Sequence, residues 1–308
     1  MSPVDRRLVL LRRLAWLCAV TVLAVTTLSA FIRLTNAGLG CAAWPQCYGE
    51  RGLLAAAGAG PRGDTTAATA VARVAHRIMA VSALLIIVML IVLCFRDRPV
   101  LRDQGATAVA LLALALGLSV LGIWSSGSRV PAVSIANLIG GFAMLALSLR
   151  LAIGADTTPA PRSRVAAIAA VLLLLLQVAV GGLVSASHAG LSCVDWSDCA
   201  AAARAIPWST LNPWREPLLT AEAPFNAAGT LSQSIHRGMA LVVVAVLLPL
   251  AIAARRRGRP RIAAVLIALL AAQVITGLAM VQGSLPLGLA LLHNLLAACL
   301  LATLLLLV

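Results

Sequence analysis

Eight long apolar stretches, at roughly 14–32, 71–94, 105–124, 132–153, 165–185, 231–254, 262–281 and 286–308, constrain this chain of 308 residues more than any motif does. Each is close to the roughly 20 residues that a helix needs to cross a bilayer. A backbone in hydrocarbon must satisfy its own hydrogen bonds, which a helix does within one segment. With 61% hydrophobic and only 11% charged residues, the chain lies far from the roughly 25% charged residues of soluble domains. That balance excludes soluble globular, disordered, collagen-like and small disulfide-rich readings. The first stretch is too long for the core of a cleavable signal peptide, and no small-residue cleavage site follows it. The expected fold is an all-α polytopic membrane protein with eight transmembrane helices.

The formal charge of +14 does not imply nucleic acid, because every basic residue is an arginine and the arginines cluster between the apolar stretches. One set of connections carries Arg6, Arg7, Arg12, Arg13, Arg96, Arg98, Arg102, Arg150, Arg162, Arg164, Arg255, Arg256, Arg257, Arg259 and Arg261. The opposite set carries Arg33, Arg51, Arg62, Arg129, Arg204 and Arg215. The positive-inside rule then predicts an inner (plasma) membrane protein with both termini cytoplasmic. The long connections at about 33–70 and 186–230 face outward. They hold Cys41 and Cys47, and Cys193 and Cys199, on the side where disulfides persist. C-x5-C is not a usual zinc spacing, which favours Cys41–Cys47 and Cys193–Cys199 disulfides over metal ligation. Cys18, Cys94 and Cys299 fall within spans and read as small apolar fillers.

The chain repeats itself. Leu34-Thr-Asn-Ala-Gly-Leu-Gly-Cys41-Ala-Ala-Trp44-Pro-Gln-Cys47 resembles Ser187-His-Ala-Gly-Leu-Ser-Cys193-Val-Asp-Trp196-Ser-Asp-Cys199. Further on, the His-Arg-x-Met-Ala run at His76 recurs at His236. The repeat length corresponds to four helices, so the halves keep the same orientation. Residues 1–155 and 156–308 are expected to form tandem four-helix bundles, related by a pseudo-two-fold axis along the membrane normal. Bundles build cofactor sites from side chains on facing helices.

Only four histidines occur, at 76, 188, 236 and 293. Ionisable residues inside a membrane are expensive and point to function. His76, His236 and His293 lie five to eight residues past the outer end of an even-numbered span, a common depth. Two histidines at equal depth on facing helices can hold a haem between them. His236 and His293 make such a pair in the second half. In the first half the equivalent positions are His76 and Asn137, because Ile135-Ala-Asn137-Leu aligns with Leu291-Leu-His293-Asn. A single membrane histidine also serves as an interhelical hydrogen bonder, and His188, at a helix–loop border, reads as an interfacial residue. Arg77 and Arg237 follow the paired histidines and are placed to meet haem propionates or to snorkel to the interface.

The first cysteine loop from Arg33 to Cys47, the paired His-Arg motifs and Leu292-His293 resemble the haem A synthase family. The resemblance spans nearly the whole chain. It implies oxidation of the C8 methyl of haem O to the formyl group of haem A, for cytochrome oxidase. It also implies haem b as cofactor on His236 and His293, with Arg237 nearby, and haem O as substrate beside His76, Arg77, Asn137 and Arg73. The disulfides would brace the outer loops over these sites. Lipid, the haem O-making enzyme and oxidase assembly factors are the partners so implied. Two positions depart from the family pattern. A histidine is usual where this chain has Asn137, and a glutamate three residues before the first histidine is usual where it has Arg73. An arginine stays protonated and accepts no proton, so it cannot replace a glutamate as proton handler. Glu50, Glu216 and Glu222 are the only glutamates, all in outer loops; Glu50 could swing over the first half, but nothing in the sequence says that it does. The catalytic base is unassigned. Two rival readings are a non-hydroxylating haem b-binding paralogue in electron transfer or haem handling, and a solute transporter. The second is disfavoured by the absence of acidic residues from every span.

Overall fold

The computed structural model describes residues 2–39, 41, 44–45, 47–48, 67–125, 128–154, 161–193, 195–219 and 225–308. Glu50 and Glu222 lie outside them. Among the described residues there are nine α-helices, two short 3-10 turns and no strand. The eight long helices are α1 (Pro3–Asn36), α2 (Ala67–Phe95), α3 (Arg102–Ser125), α4 (Pro131–Ile153), α5 (Pro161–Ala186), α7 (Thr230–Arg256), α8 (Pro260–Gln282) and α9 (Leu287–Leu305). Each is long and apolar enough to cross a membrane. The ninth, α6 (Trp196–Ala203), lies in the second cysteine loop.

Local chemistry extends the helices beyond the apolar stretches. At the start of α1 a capping box joins Ser2 and Asp5, and Pro3 occupies the first turn. These satisfy donors that the first turn leaves open. The arginine-bearing turns 3–13 are therefore helical too. Buried Arg7 reaches back to donate to the carbonyls of Asp97 and Pro99, tying the α2–α3 connection to α1. At the other end Gly38 adopts φ +103°, and a Cβ there would stand 2.7 Å from the Cys47 carbonyl oxygen. Only glycine permits that turn and that approach. Helix α2 starts at Ala67, a turn earlier than its apolar stretch, with Thr69 buried against Thr35 at the end of α1. Short α6 has Asp195 at its N-cap position and Asp198 in its first turn, followed by a run of alanines. Pro249 and the Gly181-Gly182 pair do not break α7 or α5.

The helices pack in two similar rings. Helix α1 contacts α2 and α4, and α3 contacts α2 and α4. In the same pattern α5 contacts α7 and α9, while α8 contacts α7 and α9. The seam between the rings consists of α4 against α5 and α9, and of α1 against α9. One apolar core runs through both, including Cys18, Ile87, Phe142, Leu247, Leu266 and Leu300. Lipid gives no hydrophobic drive for helix association, so close backbone approach matters more. Gly140 and Gly141 of α4 show this, because added Cβ atoms would meet Leu118 of α3 and Thr26 of α1. Outward-facing apolar side chains such as Val74, Ile78, Leu85, Leu241 and Leu278 are exposed, as lipid contact requires. A second apolar cluster, with Leu34, Leu39, Tyr48, Leu191, Leu285 and Ala290, closes the end that carries the cysteine loops.

Candidate functional site

In the second ring, helices α7 and α9 are not neighbours but stand across from each other, with α5 and α8 between them. His236 projects from α7 and His293 from α9, each six residues past the helix's first residue. Each intervening helix supplies one of the histidines with the same pair of residues, a glutamine and a glycine one turn apart. On α5, the Gln177 amide nitrogen lies 3.2 Å from His236 Nδ1 and donates to the His236 carbonyl at 3.0 Å. On α8, the Gln273 amide nitrogen lies 3.1 Å from His293 Nε2. One turn along each helix, Gly181 and Gly277 present bare backbone to the imidazoles. Added Cβ atoms would come within 2.9 Å of His236 Cε1 and 3.2 Å of His293 Cε1. Both glutamine carbonyl oxygens are buried without a partner.

The α8 contacts also fix a tautomer. The Thr276 hydroxyl donates to the Ala272 carbonyl at 2.8 Å, so its oxygen is left to accept from His293 Nδ1, 3.2 Å away. The ring proton then sits on Nδ1 and the lone pair on Nε2, which is the arrangement a metal takes. On His236 it is Nδ1 that is held, and Nε2 has no partner among the described residues. Among those residues no three His, Cys, Asp or Glu side chains converge. A prosthetic group that carries its own equatorial nitrogens needs only two protein ligands. The paired imidazoles, the bare glycine backbone and the unspent amide oxygens fit such a group.

The first ring has the same frame and different contents. His76 on α2 is half-buried, nine residues past the first residue of its helix, because α2 starts early. Across from it, Asn137 on α4 is also half-buried. Neither makes a hydrogen bond with another described residue. Arg73, one turn before His76, is exposed and donates to Asn36 Oδ1 at 3.2 Å. Arg77 is exposed. The positions equivalent to the two glutamine–glycine pairs are Val25 with Ser29 on α1 and Gly117 with Leu121 on α3.

Both cysteine loops lie at the same end of the rings. Cys41–Cys47 and Cys193–Cys199 are disulfide-bonded. The second loop is clamped onto α7, where buried Gln233 accepts from the Cys193 N–H at 3.1 Å and donates to the Gly190 carbonyl at 2.8 Å. Arg237 donates to the Cys193 carbonyl at 3.0 Å, so the residue after the histidine braces this loop. The loop then crosses to the other half. Pro213 accepts from the Ala132 N–H at 2.7 Å, and Glu216 pairs with Arg129 at 2.6 Å. A cavity of about 130 Å³ there has Ser187, Thr210, Asn226, Ser232, Pro131 and Leu218 among its lining residues, and touches neither His236 nor His293. His188 is more than an interfacial residue. It adopts φ +53°, packs against Tyr48 in a tilted ring contact with centroids 5.6 Å apart, and buries an unpartnered Nδ1. Burial pushes its imidazolium down to about 4 and the Tyr48 phenol up to about 12.

Sequence reading paired His236 with His293 but missed Gln177, Gln273 and Thr276. A signal was present, since both glutamines lie deep in apolar helices and precede a glycine by four residues.

Comparison with known proteins places the chain in a family. A family model described as cytochrome oxidase assembly protein matches residues 12–305. A protein of Shewanella oneidensis named heme A synthase is 30% identical over 322 aligned positions, covering 95% of this chain and 94% of that protein. A heme A synthase of Methylobacterium radiotolerans is 32% identical over 203 positions, covering 63% of this chain and 48% of that protein.

Proposed function

Because the chain belongs to the haem A synthase family of cytochrome oxidase assembly proteins, we propose that it oxidises the C8 methyl of haem O to the formyl group of haem A. In this reading the chain divides into residues 1–155 and 156–308 about a two-fold axis, a division supported by the repeated ring of helix contacts. The second half holds haem b and the first half receives haem O. Both termini are cytoplasmic, and the cysteine loops lie outside.

One observation carries the cofactor assignment. His236 and His293 stand across one ring, and each meets a glutamine and a glycine from the helices between them. His236 and His293 would hold the iron, and haem b bound there would supply one-electron redox chemistry. Thr276 keeps the His293 proton on Nδ1, which leaves the lone pair on Nε2, where Gln273 now donates, as the one that would meet iron. Gly181 and Gly277 leave the imidazoles room that any side chain would take.

The first half works with fewer fixed groups. His76 ligates or orients the substrate, and Asn137 offers an amide where the second half has a ligand, leaving one side of the iron open to reaction. The apolar tail of haem O gives it lateral entry from lipid. Arg73 and Arg77 carry positive charge at this end of α2 and attract the substrate's carboxylates. Arg73 moves no proton, since it stays charged and is held by Asn36.

The experiment is the optical spectrum of purified protein, wild type against His236→Ala and His293→Ala. The proposal predicts a low-spin haem b spectrum that both substitutions abolish. A spectrum indifferent to both would overturn the ligand assignment.

A further inference from the structure

We propose that Arg33, Tyr48 and His188 form a carboxylate-binding site at the seam of the two halves, which takes a propionate of the haem held by His236 and His293. The inference rests on the haem reading above.

Arg33 stands in the last turn of α1 and reaches across the seam to donate to Ser185 Oγ on α5 at 2.7 Å. Its guanidinium is half-buried, and no carboxylate among the described residues pairs with it. A guanidinium has five N–H donors, and a neutral hydroxyl takes only one of them. Withdrawing such a cation from water is costly unless an anion joins it. Two more polar groups lie at this end of the seam, Tyr48 in one cluster with Leu34 and His188 beside it. Tyr48 is 3% exposed; its oxygen accepts from the Gly190 N–H at 3.3 Å, and its own O–H proton goes to no described residue. His188 makes a tilted ring contact with Tyr48 and buries an Nδ1 with no partner. His188 also holds a left-handed backbone, a strain that proteins keep at ligand clamps. The ensemble has one positive charge, a phenol O–H and an imidazole whose buried Nδ1 can carry the ring proton, which matches a monoanionic carboxylate.

Its position says which carboxylate. Ser185 lies one turn beyond Gly181 on the same face of α5, about 6 Å toward the cysteine loops, and Gly181 is the residue that meets the His236 ring. The clamp is therefore one helical turn from the proposed ligand, on the outer side. It also joins the halves. Arg33 and Ser185 are 152 residues apart, the same interval as Cys41 and Cys193. Equivalent positions thus touch each other, and arginine at both would set two like charges together.

The test compares haem b with its dimethyl ester, reconstituted into the full-length protein in detergent. Wild type is expected to bind the free acid about 10-fold or more tightly than the ester, the range for a charge-assisted hydrogen bond. Arg33→Gln is expected to erase the preference while keeping the low-spin spectrum, and Tyr48→Phe to reduce it about threefold. Equal binding of acid and ester by wild type would overturn the proposal, and this arm needs no variant to fold. Retained preference in Arg33→Gln would overturn it too. If the anion is instead a lipid phosphate, acid and ester bind alike and Arg33→Gln loses co-purified phosphatidylglycerol, which also overturns it. Absence of any preference in wild type with an intact His236-dependent spectrum refutes the clamp alone; absence of that spectrum refutes the ligand reading beneath it.

Discussion

The two halves share one frame of helix contacts and differ in what they hang on it. In the second half, each histidine has a glutamine and a glycine on a neighbouring helix, and Thr276 sets the proton of one ring. In the first half, valine, serine, glycine and leucine occupy those places, and His76 has no hydrogen-bond partner among the described residues. A group that stays bound needs ligands whose orientation is fixed beforehand, since outer-shell partners commonly contribute 10–100-fold in metal affinity. A group that must enter, react and leave is better served by a looser grip. The comparison thus supports the proposal that the second half holds a resident cofactor and the first a transient substrate.

The largest expected effect breaks the comparison outright. His236→Ala or His293→Ala should weaken haem b binding by more than about 100-fold, beyond the range of outer-shell changes, read as haem per polypeptide after purification. His76→Ala should leave that ratio unchanged and abolish haem A formation. Equal loss of haem b in all three variants would contradict the division of labour.

Finer changes sharpen it. Gly181→Ala drives a Cβ to 2.9 Å from the His236 ring and should cost about 10-fold in haem retention. Gly277→Ala, with 3.2 Å to the His293 ring, should cost less. Thr276→Val removes the acceptor from His293 Nδ1 while keeping the side chain's shape. It should weaken binding about 10-fold and raise the haem midpoint potential by making the ligand less basic, and Thr276→Ser should restore both. An unchanged potential in the valine variant would show that Thr276 only packs.

The smallest effect concerns pH. Burial holds the His188 imidazolium down to about 4, against about 6.5 in an unfolded chain. Between those values the unfolded chain binds a proton that the folded one refuses, so stability falls as pH drops from 6.5 toward 4. The change between pH 7 and 5 should be on the order of 1–2 kcal/mol. His188→Asn, which tolerates the same backbone and matches Asn36 in the first half, should flatten that part of the curve in thermal unfolding. A slope unchanged by the substitution would locate it elsewhere.

Much of this was legible in the sequence. The spans follow from apolar length, and the pairing of His236 with His293 follows from the duplication, because depth along a helix is a matter of counting. The glutamines were harder, because an amide in an apolar helix reads equally as an interhelical hydrogen bonder, and only the ring arrangement shows which histidine it meets. Arg33 was assigned to the outer loops because charge counting places arginines by side. Its contact with Ser185 depends on the seam, which no local pattern encodes. The early start of α2 came from Thr69 packing on Thr35, a tertiary contact that propensity does not contain.

The most direct test of the central claim is haem content by solvent extraction and chromatography, from wild type and His76→Ala each co-expressed with a haem O-producing enzyme. The account predicts haem b with haem A in wild type, and haem b with unconverted haem O in the variant. Wild-type protein carrying haem b and only unconverted haem O would contradict methyl oxidation, and protein without haem would contradict both sites.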